Sequence, residues 1–365
     1  MSRASSRKTK TKRSTRTGTT TRHRVPPPPR PRPQAPSPRP QASPSPEPRS
    51  PRSSVVTSRD ITEAAEGLRG VARRTPLIYV EELGAHLKLE NEQPIGAFKI
   101  RGAYNAIRKL PESARRRGVI TYSSGNHGQA VAYAAKQFGV RAVIVMPETT
   151  PAVKVEGVKK WGGEVVFAGR TSEDRRIKAE EIARKEHLAI VPPFDHPDIV
   201  AGQATVALEI VEQLPEVETV VVPVGGGGLI SGVVTGLAAA GSQAAVWGVE
   251  PAGAPKLHHS LAAGKVVRLE RTGSIADGLI TLNVGEIPFA ELTRERGRLR
   301  GVVLVEDDSI RAAVQFLWRT CQLAVEPSGA ATTAALLAGL VPRGRTTVLV
   351  VSGGNVDPSL LEATD

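Results

Sequence analysis

From Gly118 onward the chain alternates short β-rich runs with helical stretches, and this alternation constrains the fold more than any other feature. Strands are expected at Val119–Tyr122, Ala142–Met146, Glu164–Phe167, Ala189–Val191, Thr219–Val224, Val246–Val249, Val302–Val305 and Thr347–Val351. Helices are expected between them, at His127–Phe138, Ala152–Trp161, Ser172–Glu186, Ile199–Gln213, Leu229–Ala240 and Ser309–Cys321. The strands are apolar and follow helices in turn, the pattern of parallel sheets covered by helices on both faces. The fold class is therefore α/β with mainly parallel sheets. Ligands in such sheets collect beyond the carboxyl ends of the strands.

The formal charge of +13 suggests a polyanion partner until it is located. Residues 1–54 hold 14 Lys and Arg against one acid, Glu47, and account for all of it; the remainder is formally neutral. This Arg/Ser/Pro-rich tail has too little apolar content to offset the entropy of ordering and is expected to be disordered. Any nucleic-acid contact belongs to the tail and is non-specific and salt-sensitive. Order is expected from about Thr57, with Asp60 and Glu63 in the first turn of a helix. One cysteine, Cys321, excludes an intrachain disulfide and suits a reducing cytosol. No secretory signal is visible; the acid-poor tail leaves organellar import open. Thr219 to Val249 carries no charge, but Pro223 and four glycines make it strand–loop–helix–strand rather than a membrane span.

Those glycines, Gly225-Gly226-Gly227-Gly228 before Leu229, are the strongest chemical signal. Between an apolar strand and a helix they let successive N–H groups converge on a phosphate. Val233 stands where a Walker lysine would be, and no register satisfies G-x-G-x-x-G, so a nucleotide is disfavoured and a single phosphomonoester fits. A close-packed glycine turn is the plainer alternative. Ser123-Ser124-Gly125-Asn126-His127 also follows a strand and opens a helix, suiting an anion or simply a capped helix start. Lys99 opens a helix, where a cation opposes the macrodipole; it is either a solvated lysine or an amine bonded to something else. Ser352 in Val350-Val351-Ser352-Gly353-Gly354-Asn355 ends the last strand.

Together these stretches resemble, in the same order, the motifs of the fold-type II pyridoxal-phosphate (PLP) enzymes in their threonine/serine dehydratase branch. Glu90 to Ala103 is similar to E-N-x-Q-x-x-G-S-F-K-x-R-G-A, Ser123 to Gln129 to S-S-G-N-H-G-Q. The resemblance covers about Ser58 to Pro358. It implies two open, mainly parallel twisted sheets, with a small subdomain of about 90–195 inserted in a large one of about 55–89 plus 196–358. It further implies that Lys99, beside Phe98, carries PLP and acts as general base, with the phosphate on Gly225–Gly228 and Leu229. By the same resemblance the amides of Ser123, Ser124, Gly125, Asn126 and His127 hold the substrate carboxylate. Asn126 meets the cofactor's phenolic oxygen, Ser124 moves a proton on the opposite face, Ser352 meets the pyridine nitrogen and Glu326 lies near the ring.

The implied reaction is β-elimination of L-threonine or L-serine to a 2-oxo acid and ammonia, in a homodimer or higher homo-oligomer in the cytoplasm. Serine racemase or 3-hydroxyaspartate dehydratase is the alternative, since Asp277-Gly278-Leu279 and Val284-Gly285-Glu286 resemble that branch. No regulatory domain of the kind longer relatives append is expected. Two departures stand out. Ala97 replaces the usual serine, and Lys256 replaces the aspartate of a divalent-cation motif that begins at Glu250. No metal is expected there, with Lys256 supplying the positive charge. From another class, a nucleic-acid or scaffold-binding protein would use the tail and leave the enzyme-like part inert.

Overall fold

The computed structural model describes residues 55–123 and 125–362. The basic tail, 1–54, and Ser124 lie outside the described residues, and with them the expectations placed there. Among the described residues, ten strands build two sheets. They are β1 Leu77–Val80, β2 Ala85–Leu89, β3 Val119–Tyr122, β4 Ala142–Met146, β5 Glu164–Phe167, β6 Ala189–Ile190, β7 Thr219–Pro223, β8 Ala245–Pro251, β9 Leu299–Val305 and β10 Thr347–Val351. The larger sheet runs β1-β2-β10-β7-β8-β9, and only β1 is antiparallel to its neighbour. The smaller, β5-β4-β3-β6, is wholly parallel.

The central strands are buried at every position, as in β7 (TVVVP) and β10 (TVLVV), so both faces need helical cover. The charge-free run thus folds as β7, a glycine turn, the helix Gly228–Ala239 and β8. That helix lies close against the long helix Pro197–Gln213: a Cβ on Gly236 would come within 2.4 Å of Ala204 O, and one on Gly232 within 2.8 Å of Ala204 N. Glycine is required there by close approach rather than by dihedral angle. Among the described residues no helix is long and apolar enough to cross a membrane.

At the first ordered helix, Ser58–Gly67, Thr57 and Asp60 form a reciprocal capping box. Helices at Lys256–Ala263 and Glu286–Arg294 are not expected from the sequence, which offers only a helix start at Glu326-Pro327 for the helix Pro327–Leu337. The last is rich in Ala, Thr and Gly, and its first ten residues are all buried, so it has no polar face to give it a period.

Strand order places the ends that matter together. β10 lies between β2 and β7, with Val351 level with Leu89 and Leu349 level with Val221. The segments leaving the carboxyl ends of β2, β10 and β7 are the lysine stretch, the Ser352 turn and the glycine run. Behind them sits a buried ionic cluster. Arg101 grips Glu90 through two bonds (2.7 and 2.8 Å) and reaches Glu209 at 2.7 Å, while Lys88 donates to Glu209 at 2.6 Å. Arg101, Glu90 and Lys88 are at most 1% exposed. Two cations face two carboxylates, tying β2 and the helix Lys99–Lys109 to the helix Pro197–Gln213. Removing one partner leaves an uncompensated buried charge, so Arg101→Met is expected to cost about 3–5 kcal/mol in urea unfolding. A loss under about 1 kcal/mol would show the cluster to be solvated like a surface pair.

Candidate active site

Residues 96–98 and 352–354 run antiparallel and bond to each other. The amide of Phe98 donates to Ser352 O (3.1 Å), that of Gly354 to Gly96 O (2.9 Å), and Ala97 bridges Gly353. Ala97 is fully buried in this pairing, so its missing hydroxyl leaves no space. Asn355 extends the link, its side-chain amide donating to Ile95 O (2.9 Å) and to Asn126 Oδ1 (2.8 Å). Asn126 in turn donates to Glu326 Oε1 (2.7 Å), and the Glu326 amide returns to Gly353 O (3.1 Å). The lysine stretch, the loop after β3, the last strand's turn and Glu326 are therefore in direct contact.

Lys99 is the first residue of its helix, and its part-buried ammonium donates to Pro193 O at 2.8 Å. Burial lowers its pKa to about 8, against a small opposing effect of the Glu326 carboxylate. The neighbouring residue, Phe194, lies against the glycine run: a Cβ on Gly226 would meet its ring at 2.2 Å, and one on Gly228 its Cβ at 3.2 Å. Lys99 and the glycines thus border two consecutive residues, Lys99 at Pro193 and the glycines at Phe194. Gly227 sits at φ +88°, in the left-handed region. Among the described residues the amides of Gly225 to Leu229 donate to no protein acceptor, leaving five N–H groups at the start of a helix. Leu229 is buried beside them, and Phe98 packs on the same cluster.

His127 is buried, its Nε2–H donating to Val191 O (3.1 Å), while Nδ1 has no partner among the described residues. Burial, reinforced by Lys99, pushes its pKa down to about 3, so the imidazole is neutral. The amide of Ser123 is already used by Val145 O (3.0 Å), and that of Gly125 meets Ser123 Oγ (3.3 Å). Among the described residues of this loop, the amides of Asn126 and His127 at the helix start donate to nothing. Ser352 is buried, and its hydroxyl makes a long contact (3.5 Å) to Ser328 O. Glu326, buried beside Asp277, has its pKa raised to about 8, with burial the larger cause.

The sequence reading had not singled out Pro193 and Phe194, which follow β6 just as the motifs follow their own strands; position at a strand end was their only signal. Nor had it given Asn355 a role, although it ended a motif. Among the described residues no group of His, Cys, Asp and Glu can hold a metal ion. Around Glu250 the place is taken by the ammonium of Lys256, 3.0 Å from Glu250 Oε1.

A family model for pyridoxal-phosphate dependent enzymes matches residues 68–353. The chain belongs to that family. Its cofactor is PLP, and the residues present fit one: five free amides suit a single phosphate group, and a lysine held near neutrality suits an aldehyde. The chain is 39% identical to the L-threonine ammonia-lyase of Thermotoga maritima over 84% of its own length and 78% of that protein's. It is 36% identical to the L-threo-3-hydroxyaspartate ammonia-lyase of Saccharomyces cerevisiae, over 83% and 94%. Among solved structures, maize serine racemase superposes with a TM-score of 0.79 at 36% identity, covering 84% of this chain and 95% of that one.

In the apo-protein, competitive acylation of Lys99 followed by mass spectrometry is expected to show half-reactivity near pH 8, well below an ordinary lysine. Glu326→Gln removes the carboxylate that favours the charged amine, so the midpoint is expected to fall further. An upward shift in that variant would contradict the assigned direction.

Proposed function

We propose that this chain is a PLP-dependent ammonia-lyase that converts L-threonine, L-serine or both to the 2-oxo acid and ammonia. The observation that carries this reading is that Lys99 bonds Pro193 while the glycine run packs on the next residue, Phe194, with the neutral Ser352 hydroxyl just past the end of the last strand. Bound there, PLP supplies an electron sink that acidifies the Cα–H of an attached amino acid. Lys99, neutral above about pH 8, takes that proton as general base. The amides of Asn126 and His127, and the Ser123 hydroxyl beside them, hold the substrate carboxylate; Ser124 is assigned to the proton on the other face by resemblance alone. His127 stays neutral and so does not pair with that carboxylate itself.

Asn126 is oriented by Glu326 and Asn355, and its side-chain amide is assigned to the cofactor's ring oxygen by resemblance. Ser352 offers the ring nitrogen a hydroxyl rather than a carboxylate. A neutral partner leaves the ring a weaker sink, which favours losing a β-hydroxyl over prolonged carbanion chemistry. Loss of the Cα proton and of hydroxide, together one water, gives an enamine that hydrolyses to the 2-oxo acid and ammonia.

The segment of about 90–195 is proposed as a small subdomain within the larger one: all four strands of the smaller sheet fall in it, and all six of the larger fall outside. An ion pair between Lys154 and Asp277 joins the two parts near Glu326.

Racemisation is the competing activity, supported by the likeness to maize serine racemase. Purified holoenzyme given L-threonine, L-serine and L-threo-3-hydroxyaspartate is expected to release 2-oxo acid fastest from one of the first two. Lys99→Ala should lower kcat by about 10²–10⁴-fold, the range for losing a general base. D-serine accumulating faster than pyruvate would overturn the lyase assignment, as would a clear preference for hydroxyaspartate.

A further inference from the structure

Lys256 opens the helix Lys256–Ala263, yet its side chain is fully buried. Burial and the helix N-terminus both oppose a cation there. Three oxygens from separate segments answer that cost. The ammonium donates to Val224 O (2.9 Å), Glu250 Oε1 (3.0 Å) and Ala254 O (3.1 Å), which uses all three of its N–H groups. Glu250, also fully buried, accepts the amides of Leu257 (2.8 Å) and His258 (2.9 Å) and so caps the same helix.

The contact with Val224 O has a geometric consequence. Val224 immediately precedes Gly225, and in a planar trans peptide the C=O of one residue and the N–H of the next point in opposite directions. Fixing Val224 O towards Lys256 therefore aims the Gly225 N–H, first of the five free amides, away from it. Without the ammonium, two carbonyls and a carboxylate converge on nothing, and the peptide plane is free to rotate.

We propose that Lys256 is a positioning residue for the cofactor-phosphate loop: a built-in cation whose three-oxygen cage aims the Gly225 amide, and whose place a small free cation can take when the side chain is cut back. This rests on the reading of Gly225–Leu229 as the phosphate site. Its substance is that the wild-type protein needs no added cation, whereas a truncated variant acquires that need.

Equilibrium dialysis of PLP against full-length apo-protein in a tetramethylammonium buffer tests it, with potassium, ammonium or magnesium chloride added in turn. Wild type is expected to bind PLP with the same Kd under all conditions, with or without EDTA. Lys256→Ala is expected to bind ~10-fold or more weakly, the scale of one hydrogen bond to a charged group, and to recover with at least one of the three cations. Lys256→Met, which fills the space with apolar atoms, should be weakened without recovery. Wild-type affinity in both variants, or weakening in Lys256→Ala that no cation relieves, overturns the proposal. If burying Glu250 unpaired prevents folding, Lys256→Met with Glu250→Gln removes both charges; it is expected to bind PLP ~10-fold more weakly and indifferently to cations, and unchanged affinity would refute the inference. Gly226→Ala, which collides with Phe194, tests the phosphate site separately. Unchanged binding there overturns the glycine-run reading, whereas weakened binding there beside intact Lys256 variants overturns the inference about Lys256 alone.

Discussion

The short antiparallel pairing of residues 96–98 with 352–354 is the interaction on which the site depends. It consists of two backbone bonds, Phe98 to Ser352 and Gly354 to Gly96, flanked by residues that must be small: Ala97 is buried, Gly96 has φ +72°, and a Cβ on Gly353 would meet Glu326 Oε1 at 2.2 Å. Those bonds form because β2 and β10 are already neighbours and release their ends at the same level. The helix that Lys99 opens therefore starts where the sheet dictates. Glu326 and Asn355 then extend the pairing to Asn126, so an amide after a strand of the smaller sheet is aligned from the larger one.

Electrostatics at the site follow from how little water reaches it. The macrodipole opposes a cation on Lys99 by about 0.3–1 kcal/mol, less than the 1.4 kcal/mol of a single pKa step, so burial must supply most of its depression to about 8. The same loss of water keeps His127 neutral and raises Glu326. Lys99, His127 and Glu326 have each been moved towards the uncharged form. The groups there that keep their polarity are fixed dipoles: the amides of Gly225–Leu229 and the N-terminus of Gly228–Ala239. Such donors do not lose their charge with pH, and they need no reorganisation when a dianion arrives.

Much of this was legible in the chain. Eight expected strands recur with shifts of three residues or fewer at their ends, because β-branched apolar runs bounded by glycine and polar turns leave little choice. The glycine run was readable because four glycines after a strand have few purposes. Sequence could not show that Pro193 and Phe194 join Lys99 to that run, since neither carries a reactive group and both come from another sheet. Nor could it show that the Ser123 amide donates to Val145 O, a long-range contact that no local pattern announces. Helix Pro327–Leu337 is legible only at its start, Glu326-Pro327, because complete burial erases the periodicity by which helices are recognised.

The lysine segment also has to belong to two bodies at once. It leaves β2 of the larger sheet, yet Ile95, Ala97, Ile100 and Ala103 pack into the core beneath the smaller sheet with Val119 and Ile144. A segment bridging two cores transmits any relative movement to its side chains unless something holds it. Arg101, two residues beyond Lys99, is the restraint: its guanidinium is clamped in a planar, two-point grip by Glu90 on one side and bonded to Glu209 on the other. A lysine at that position would offer a point charge without the fork. Buried ion pairs add little net stability over apolar packing, but they are demanding about geometry. Geometry is what a reacting amine needs, since misplacement by an ångström is costly to the rate. The cluster therefore earns its place less by holding the fold together than by fixing the start of one helix.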